Sequence, residues 1–91
     1  MTLPEIRKQI DIIDNEILSL LLKRMKCSEC IAKIKLADKL PVLDEAREKN
    51  ILNNIKINSS DKYKYVLPIF NEILKTSKDI QNDFIFTHKT Q

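Results

Sequence analysis

Residues 3–37 read LPEIRKQIDIIDNEILSLLLKRMKCSECIAKIKLA, one helical pattern without a break. Apolar side chains recur at coiled-coil-like spacing at Ile6, Ile10, Ile13, Ile17 and Leu20, then at Cys27, Ile31 and Ile34, and Arg24 fills the slot between the two groups. Pro4 sits in the first turn, where a proline is tolerated, and no Pro or Gly follows it in the run. At 1.5 Å per residue such a helix is about 51 Å long. A compact chain of 91 residues has a radius of gyration of ~12 Å and spans roughly 31 Å. The helix therefore overshoots any globule its own chain could build. Its apolar stripe is expected to complete its burial against a second chain.

The composition agrees with a helical reading. The chain has no Gly, 5% aromatic residues and 32% charged ones, which with abundant Ile, Leu, Lys and Glu points to a single all-α domain. The net charge of +3 is mild, with acids and bases interspersed. That balance suits small anionic ligands and does not select nucleic acid. A nucleic-acid binder would cluster Lys and Arg among stacking aromatics, a pattern this sequence lacks. No stretch approaches the roughly 18 consecutive apolar residues of a membrane span. The N-terminus mixes acidic and basic residues without an apolar export segment, so the expected location is cytoplasmic.

Cys27 and Cys30 form a Cys-x-x-Cys. They fall in mid-helix, away from the helix N-terminus where a thiolate is favoured. The one histidine, His88, is near the C-terminus, so a four-ligand zinc site within one chain fails. The expectation is two plain thiols, buried or half-buried, and no metal.

The first helix should close near Ala37, ahead of Asp38-Lys39-Leu40-Pro41. Asp44 is a good N-cap for a second helix over about 44–56, with Ala46, Ile51, Leu52 and Ile55 as its apolar face. Asn58-Ser59-Ser60-Asp61 is turn chemistry able to cap a third helix over about 62–84. Pro68 falls inside that helix, or just after its start. Residues 85–91 read as a fraying tail.

Several polar residues stand out from this frame. Arg24 lies in the seam itself, where a polar side chain can set register. Its guanidinium can equally await an anion, which it grips through two parallel hydrogen bonds. Lys35 follows eleven residues on. A rotation of about 1100° returns it within ~20° of Arg24, about 16.5 Å further along the axis. Leaning together, the two long side chains leave room for one small dianion, although Lys35 alone also reads as a helix-end lysine complementing the dipole. Arg7 is about 42 Å from Lys35 along the same helix. One chain cannot bring both to one ligand, whereas an antiparallel partner helix can; taken alone, Arg7 is an ordinary surface arginine.

Asp44, Arg47 and Glu48 share one polar face at the start of the second helix, a common capping and pairing pattern. In the third helix the stripe Phe70, Ile73, Ser77, Gln81, Phe84 carries two neutral polar residues. Core-facing Ser and Gln need partners, from the protein or from a ligand. No Ser-His pair, metal constellation or Gly-rich phosphate loop accompanies these residues. Chemistry in such a pocket must come from positioning and electrostatics.

The order Ile6-Arg7-x-x-Ile10-Asp11-x-x-Asp14, Leu20-x-x-x-Arg24, Lys35, Pro41-Val42-x-Asp44-x-x-Arg47-Glu48, Pro68-Ile69-Phe70-x-Glu72-Ile73 and Ser77-x-x-x-Gln81 resembles the all-helical chorismate mutase family over residues 3–84. Asp-x-x-Arg-Glu and Ser-x-x-x-Gln are its most specific parts. The resemblance implies an intertwined homodimer of three-helix chains that rearranges chorismate to prephenate, on the route to phenylalanine and tyrosine, without metal or cofactor. It also implies roles. Arg7 would reach across the dimer to the enolpyruvyl carboxylate, and Arg24 would hold the ring carboxylate with help from Ser77. Lys35 would contact the side-chain carboxylate and the ether oxygen, to which Gln81 donates a second hydrogen bond. Glu48 would accept from the ring hydroxyl, with backbone near Asp44 contributing and Arg47 orienting the carboxylates.

Two other functions remain compatible with the residues. Relatives on the same fold act as isochorismate-pyruvate lyases and share the arginine and lysine framework; the intact Asp44-x-x-Arg47-Glu48 favours the mutase. A non-catalytic helical subunit of a shikimate-pathway enzyme would have no need of Arg24, Ser77 and Gln81 in apolar slots.

Overall fold

The computed structural model describes residues 1–89, which form three α-helices: α1 (Leu3–Asp38), α2 (Glu45–Asn58) and α3 (Tyr63–His88), with a 3-10 turn at Ser60–Lys62. No strand occurs among the described residues. The all-α, three-helix expectation is met. None of the described helices is long and apolar enough to cross a membrane.

Each helix starts and stops for a local reason. Thr2 and Glu5 form a capping box at the head of α1: Thr2 Oγ1 accepts from the Glu5 N–H at 3.3 Å and Glu5 Oε2 from the Thr2 N–H at 3.2 Å. At its foot, with no glycine available, Lys39 adopts the left-handed conformation (φ 57°, ψ 41°), and the N–H groups of Lys39 and Leu40 both return to the Lys35 carbonyl. Asp44 caps α2 through Oδ1, which accepts from the Arg47 N–H at 3.0 Å. That helix continues to Asn58, whose side-chain amide donates to the Asn54 carbonyl at 2.9 Å.

Two expectations about α3 need correction. The turn at 58–61 does not cap it by a side chain. Instead the Ser59 hydroxyl bonds back to the Ile55 carbonyl, and Ser60 takes a positive φ of 56° to redirect the chain. At the other end residues 85–88, expected in a fraying tail, are helical. Thr87 Oγ1 donates to the Asp83 carbonyl at 2.9 Å, and His88 Nδ1 to that of Phe84 at 2.8 Å, with the Phe84 and His88 rings stacked 3.9 Å apart. Thr90 and Gln91, the last residues of the expected tail, lie outside the described residues. Pro68 falls inside α3, not at its start.

The helices lie in one layer, with α3 packed between α1 and α2. The chain measures 56 × 26 × 14 Å, with a radius of gyration of 16.6 Å. So thin a plate can bury little. Among the described residues the buried set is Ala32, Leu74, Ser28 and Gln81, two apolar and two polar. The α1 stripe stays open: Ile10, Ile13, Ile17, Leu20, Ile31 and Ile34 are each 42–63% exposed. Cys27 and Cys30, expected buried or half-buried, are exposed as well: Cys27 opens onto the cleft between the helices, and the packing of the described residues leaves Cys30 uncovered.

Closest packing between α1 and α3 is marked by two side-chain contacts, Ser28 with Ser77 and Lys35 with Gln81. Ala32 lies between them on the same face and is 0% exposed. A larger residue there must push the helices apart. Ala32→Leu is expected to lower stability by about 1–3 kcal/mol, the usual cost of overpacking, measured by urea denaturation at fixed protein concentration.

Candidate active site

The buried polar pair belongs to a cleft of about 350 Å³ between the three helices. Toward it α1 presents Arg24, Ser28, Ile31 and Lys35; the start of α2 presents Asp44, Arg47 and Glu48; and α3 presents Ser77, Lys78 and Gln81. Four cationic side chains face two carboxylates, so the field in the cleft favours an anion.

Lys35 is the hub. It stands in the last turn of α1, half-buried, and its Nζ donates to the Val42 carbonyl at 2.6 Å and to Gln81 Oε1 at 2.9 Å. One ammonium thus ties the loop before α2 to the middle of α3. An ammonium has three protons. With two committed, the third remains for a ligand. Gln81, 5% exposed, uses one Nε2 proton on Ser77 Oγ at 3.3 Å and keeps its second. Because Lys35 can only donate, it fixes the Gln81 amide with its oxygen toward the lysine and its NH2 group turned away.

The polar chain continues past Ser77. Its Oγ lies 2.6 Å from Ser28 Oγ, which in turn donates to the Arg24 carbonyl at 3.2 Å. No buried side-chain polar atom among the described residues lacks a partner. On the opposite wall Lys78 Nζ pairs with Glu48 Oε2 at 3.0 Å, both side chains about a third exposed or less. That pair holds α2 against α3 and leaves the second Glu48 oxygen available. The Asp44 carboxylate likewise has one oxygen committed, Oδ1 to its capping bond.

Of the residues singled out from the sequence, Arg24, Lys35, Asp44, Arg47, Glu48, Ser77 and Gln81 all line this cleft. Arg7 does not. It is exposed, about 25 Å before Arg24 along α1, and lines neither this cleft nor its neighbour. The structure adds Ser28 and Lys78, which sequence reasoning passed over. Ser28 had a signal: it is one turn beyond Arg24 and two before Lys35 on the same face. Lys78, beside Ser77, had none.

A second, larger trough of about 480 Å³ runs along the same side, lined by Ile17, Leu21, Met25, Pro68, Ile69 and Ile73. It shares Arg24, Ser28 and Ser77 with the polar cleft. Being mostly apolar, it offers surface to bury and few groups to do chemistry. The polar cleft is the candidate site.

Comparison with known proteins gives a consistent picture. The family model for chorismate mutase type II matches residues 6–82. A chorismate mutase of Methanocaldococcus jannaschii is 34% identical over 87 residues, covering 91% of this chain and 87% of that protein. A bifunctional chorismate mutase/prephenate dehydratase of Aquifex aeolicus is 35% identical over 85 residues, which are 87% of this chain but 24% of that longer protein. Among solved structures, a conserved hypothetical protein from Pyrococcus furiosus superposes with a TM-score of 0.74 at 41% identity, covering 89% of this chain and 96% of its own.

Proposed function

Because the chain belongs to the chorismate mutase type II family, we propose that it converts chorismate to prephenate and so feeds the synthesis of phenylalanine and tyrosine. The observation that carries this reading is the Lys35–Gln81 pair: two mutually fixed side chains, each with one N–H left, in a cleft that also holds Arg24.

The reaction is an intramolecular Claisen rearrangement. The ether C–O bond breaks as a C–C bond forms between the enolpyruvyl methylene and the ring, and no proton or electron is exchanged with the protein. No nucleophile or acid–base pair is obligatory. The protein must hold the substrate in its compact diaxial shape, converting a rare conformer into the bound one. Arg24, assisted by Ser77, grips the ring carboxylate, and the Lys35 charge attracts the side-chain carboxylate without a hydrogen bond of its own. As the C–O bond stretches, negative charge gathers on the ether oxygen. The remaining N–H groups of Lys35 and Gln81 are already aimed by their other bonds, so they stabilise that charge without reorganising. Glu48, kept in place by Lys78, accepts from the ring hydroxyl, and Arg47 orients the carboxylates from the rim.

One clamp is missing from the single chain, and Arg7 of a second copy supplies it in this proposal. The support is the open stripe of α1. Burying an Ile or Leu side chain is worth about 1.5–3 kcal/mol, and six such residues are substantially exposed. An antiparallel copy that covers the stripe carries its own Arg7 toward the far end of α1, where Lys35 stands. The homodimer and the shared arginine thus follow from one requirement.

Purified protein incubated with chorismate is expected to yield prephenate, with Arg24→Ala and Lys35→Ala each slowing turnover by about 10²-fold or more, as for other preorganised donors. Pyruvate released from isochorismate, with chorismate untouched, would make it a lyase instead. Gln81 gives a sharper expectation. A neutral amide donates at any pH, while a glutamate in its place donates only when protonated. Gln81→Glu should therefore move the activity optimum to acid, and an unchanged pH–rate profile would remove Gln81 from the ether oxygen.

A further inference from the structure

Ser28 takes part in none of the roles above, yet it is 3% exposed and makes two contacts that compete for its one proton. Its Oγ is 3.2 Å from the Arg24 carbonyl, to which it donates, and 2.6 Å from Ser77 Oγ. While Ser28 donates to Arg24, the Ser28–Ser77 bond can only be donated by Ser77. The Ser77 oxygen meanwhile accepts from Gln81 Nε2. In this arrangement Ser77 has no proton left for a ligand, although the proposed mechanism asks it to help bind a carboxylate.

We propose that Ser28 is a positioning residue that resolves this conflict: on substrate binding its hydroxyl turns from the Arg24 carbonyl to Ser77, freeing the Ser77 proton for the ring carboxylate. The proposal rests on the mutase reading of the cleft. The turn costs little, because the Arg24 carbonyl already accepts the backbone N–H of Ser28 in the helical ladder. After it, Ser77 accepts from both Ser28 and Gln81 and donates once, a full complement for a hydroxyl. Its outgoing bond ends on an anion and is charge-assisted, and the two incoming bonds polarise it further. Ser28 also holds the Ser77 oxygen toward α1, beside Arg24. Without that partner, a serine in mid-helix can turn back onto the carbonyl one turn earlier, here that of Ile73. Ser28 thereby links carboxylate capture at Arg24 to the Gln81 amide through a single hydroxyl pair.

The test is steady-state kinetics with chorismate on Ser28→Ala, Ser77→Ala and the double variant. Alanine is smaller by one oxygen and a better helix former, so the fold is kept; thermal melts by circular dichroism check this. A carboxylate contact made equally in ground and transition states appears in KM. Ser28→Ala is expected to raise KM about fivefold, the loss of one hydrogen bond, with kcat changed less than about twofold. In the Ser77→Ala background the same substitution should add almost nothing, because the pair is already broken. A merely structural role would instead lower the melting temperature and add its full loss in both backgrounds. Turnover by the wild type with an unchanged KM in Ser28→Ala, or with fully additive losses, would overturn this proposal alone. Absence of turnover in the wild type would remove the mutase reading and this proposal with it.

Discussion

Everything in this chain depends on the mismatch between α1 and what its own chain can place against it. A helix of 36 residues runs beside one of 26, which carries one of 14 on its other side, and the plate they make is 14 Å thick. An apolar stripe at coiled-coil-like spacing is not left in water without cause, since its burial is the main favourable term a small helical protein has. The few buried residues among those described lie where α1 packs on α3, and half of them are polar. The single chain spends its tightest packing on positioning polar groups and leaves its apolar surface for a second copy in the proposed dimer.

That division explains the character of the site. Lys35, Gln81, Ser77 and Ser28 form one connected run of hydrogen bonds from the loop at Val42 to the backbone of α1 at Arg24. Each member constrains the next. The lysine can only donate, the Arg24 carbonyl can only accept, and the amide and hydroxyls between them must align accordingly. Such a run fixes Lys35 and Gln81 in advance and leaves a small number of donors facing the cleft. For a rearrangement that needs no proton transfer, orientation of donors in advance is the main contribution a protein can make.

Much of this was legible in the sequence. The length and spacing of the α1 pattern, uninterrupted by Gly or Pro after Pro4, led to the helix and to its unmet need for a partner. Arg24, Ser77 and Gln81 betrayed the site because a polar residue in an apolar slot requires a reason. What escaped had weaker signals. Ser28 is small and helix-compatible, so nothing in its type marks it, and only its turn relation to Arg24 placed it on the right face. The end of α3 is hidden in the sequence because the Phe84–His88 stack and the Thr87 bond to Asp83 are local contacts that a polar-looking tail conceals. The exposure of Cys27 and Cys30 is not legible in the sequence because seam spacing indicates what a helix can bury, not whether its own chain buries it.

The most direct measurement of the proposed shared site is complementation between two inactive variants. Arg7→Ala and Lys35→Ala would be purified separately, mixed in equal amounts, unfolded and refolded together, and assayed with chorismate. Random pairing makes half the dimers mixed, and each mixed dimer holds one site with both residues intact, so activity should recover to about one quarter of wild type. A mixture as inactive as its components, from dimers shown to have exchanged subunits, would contradict a site built from two copies.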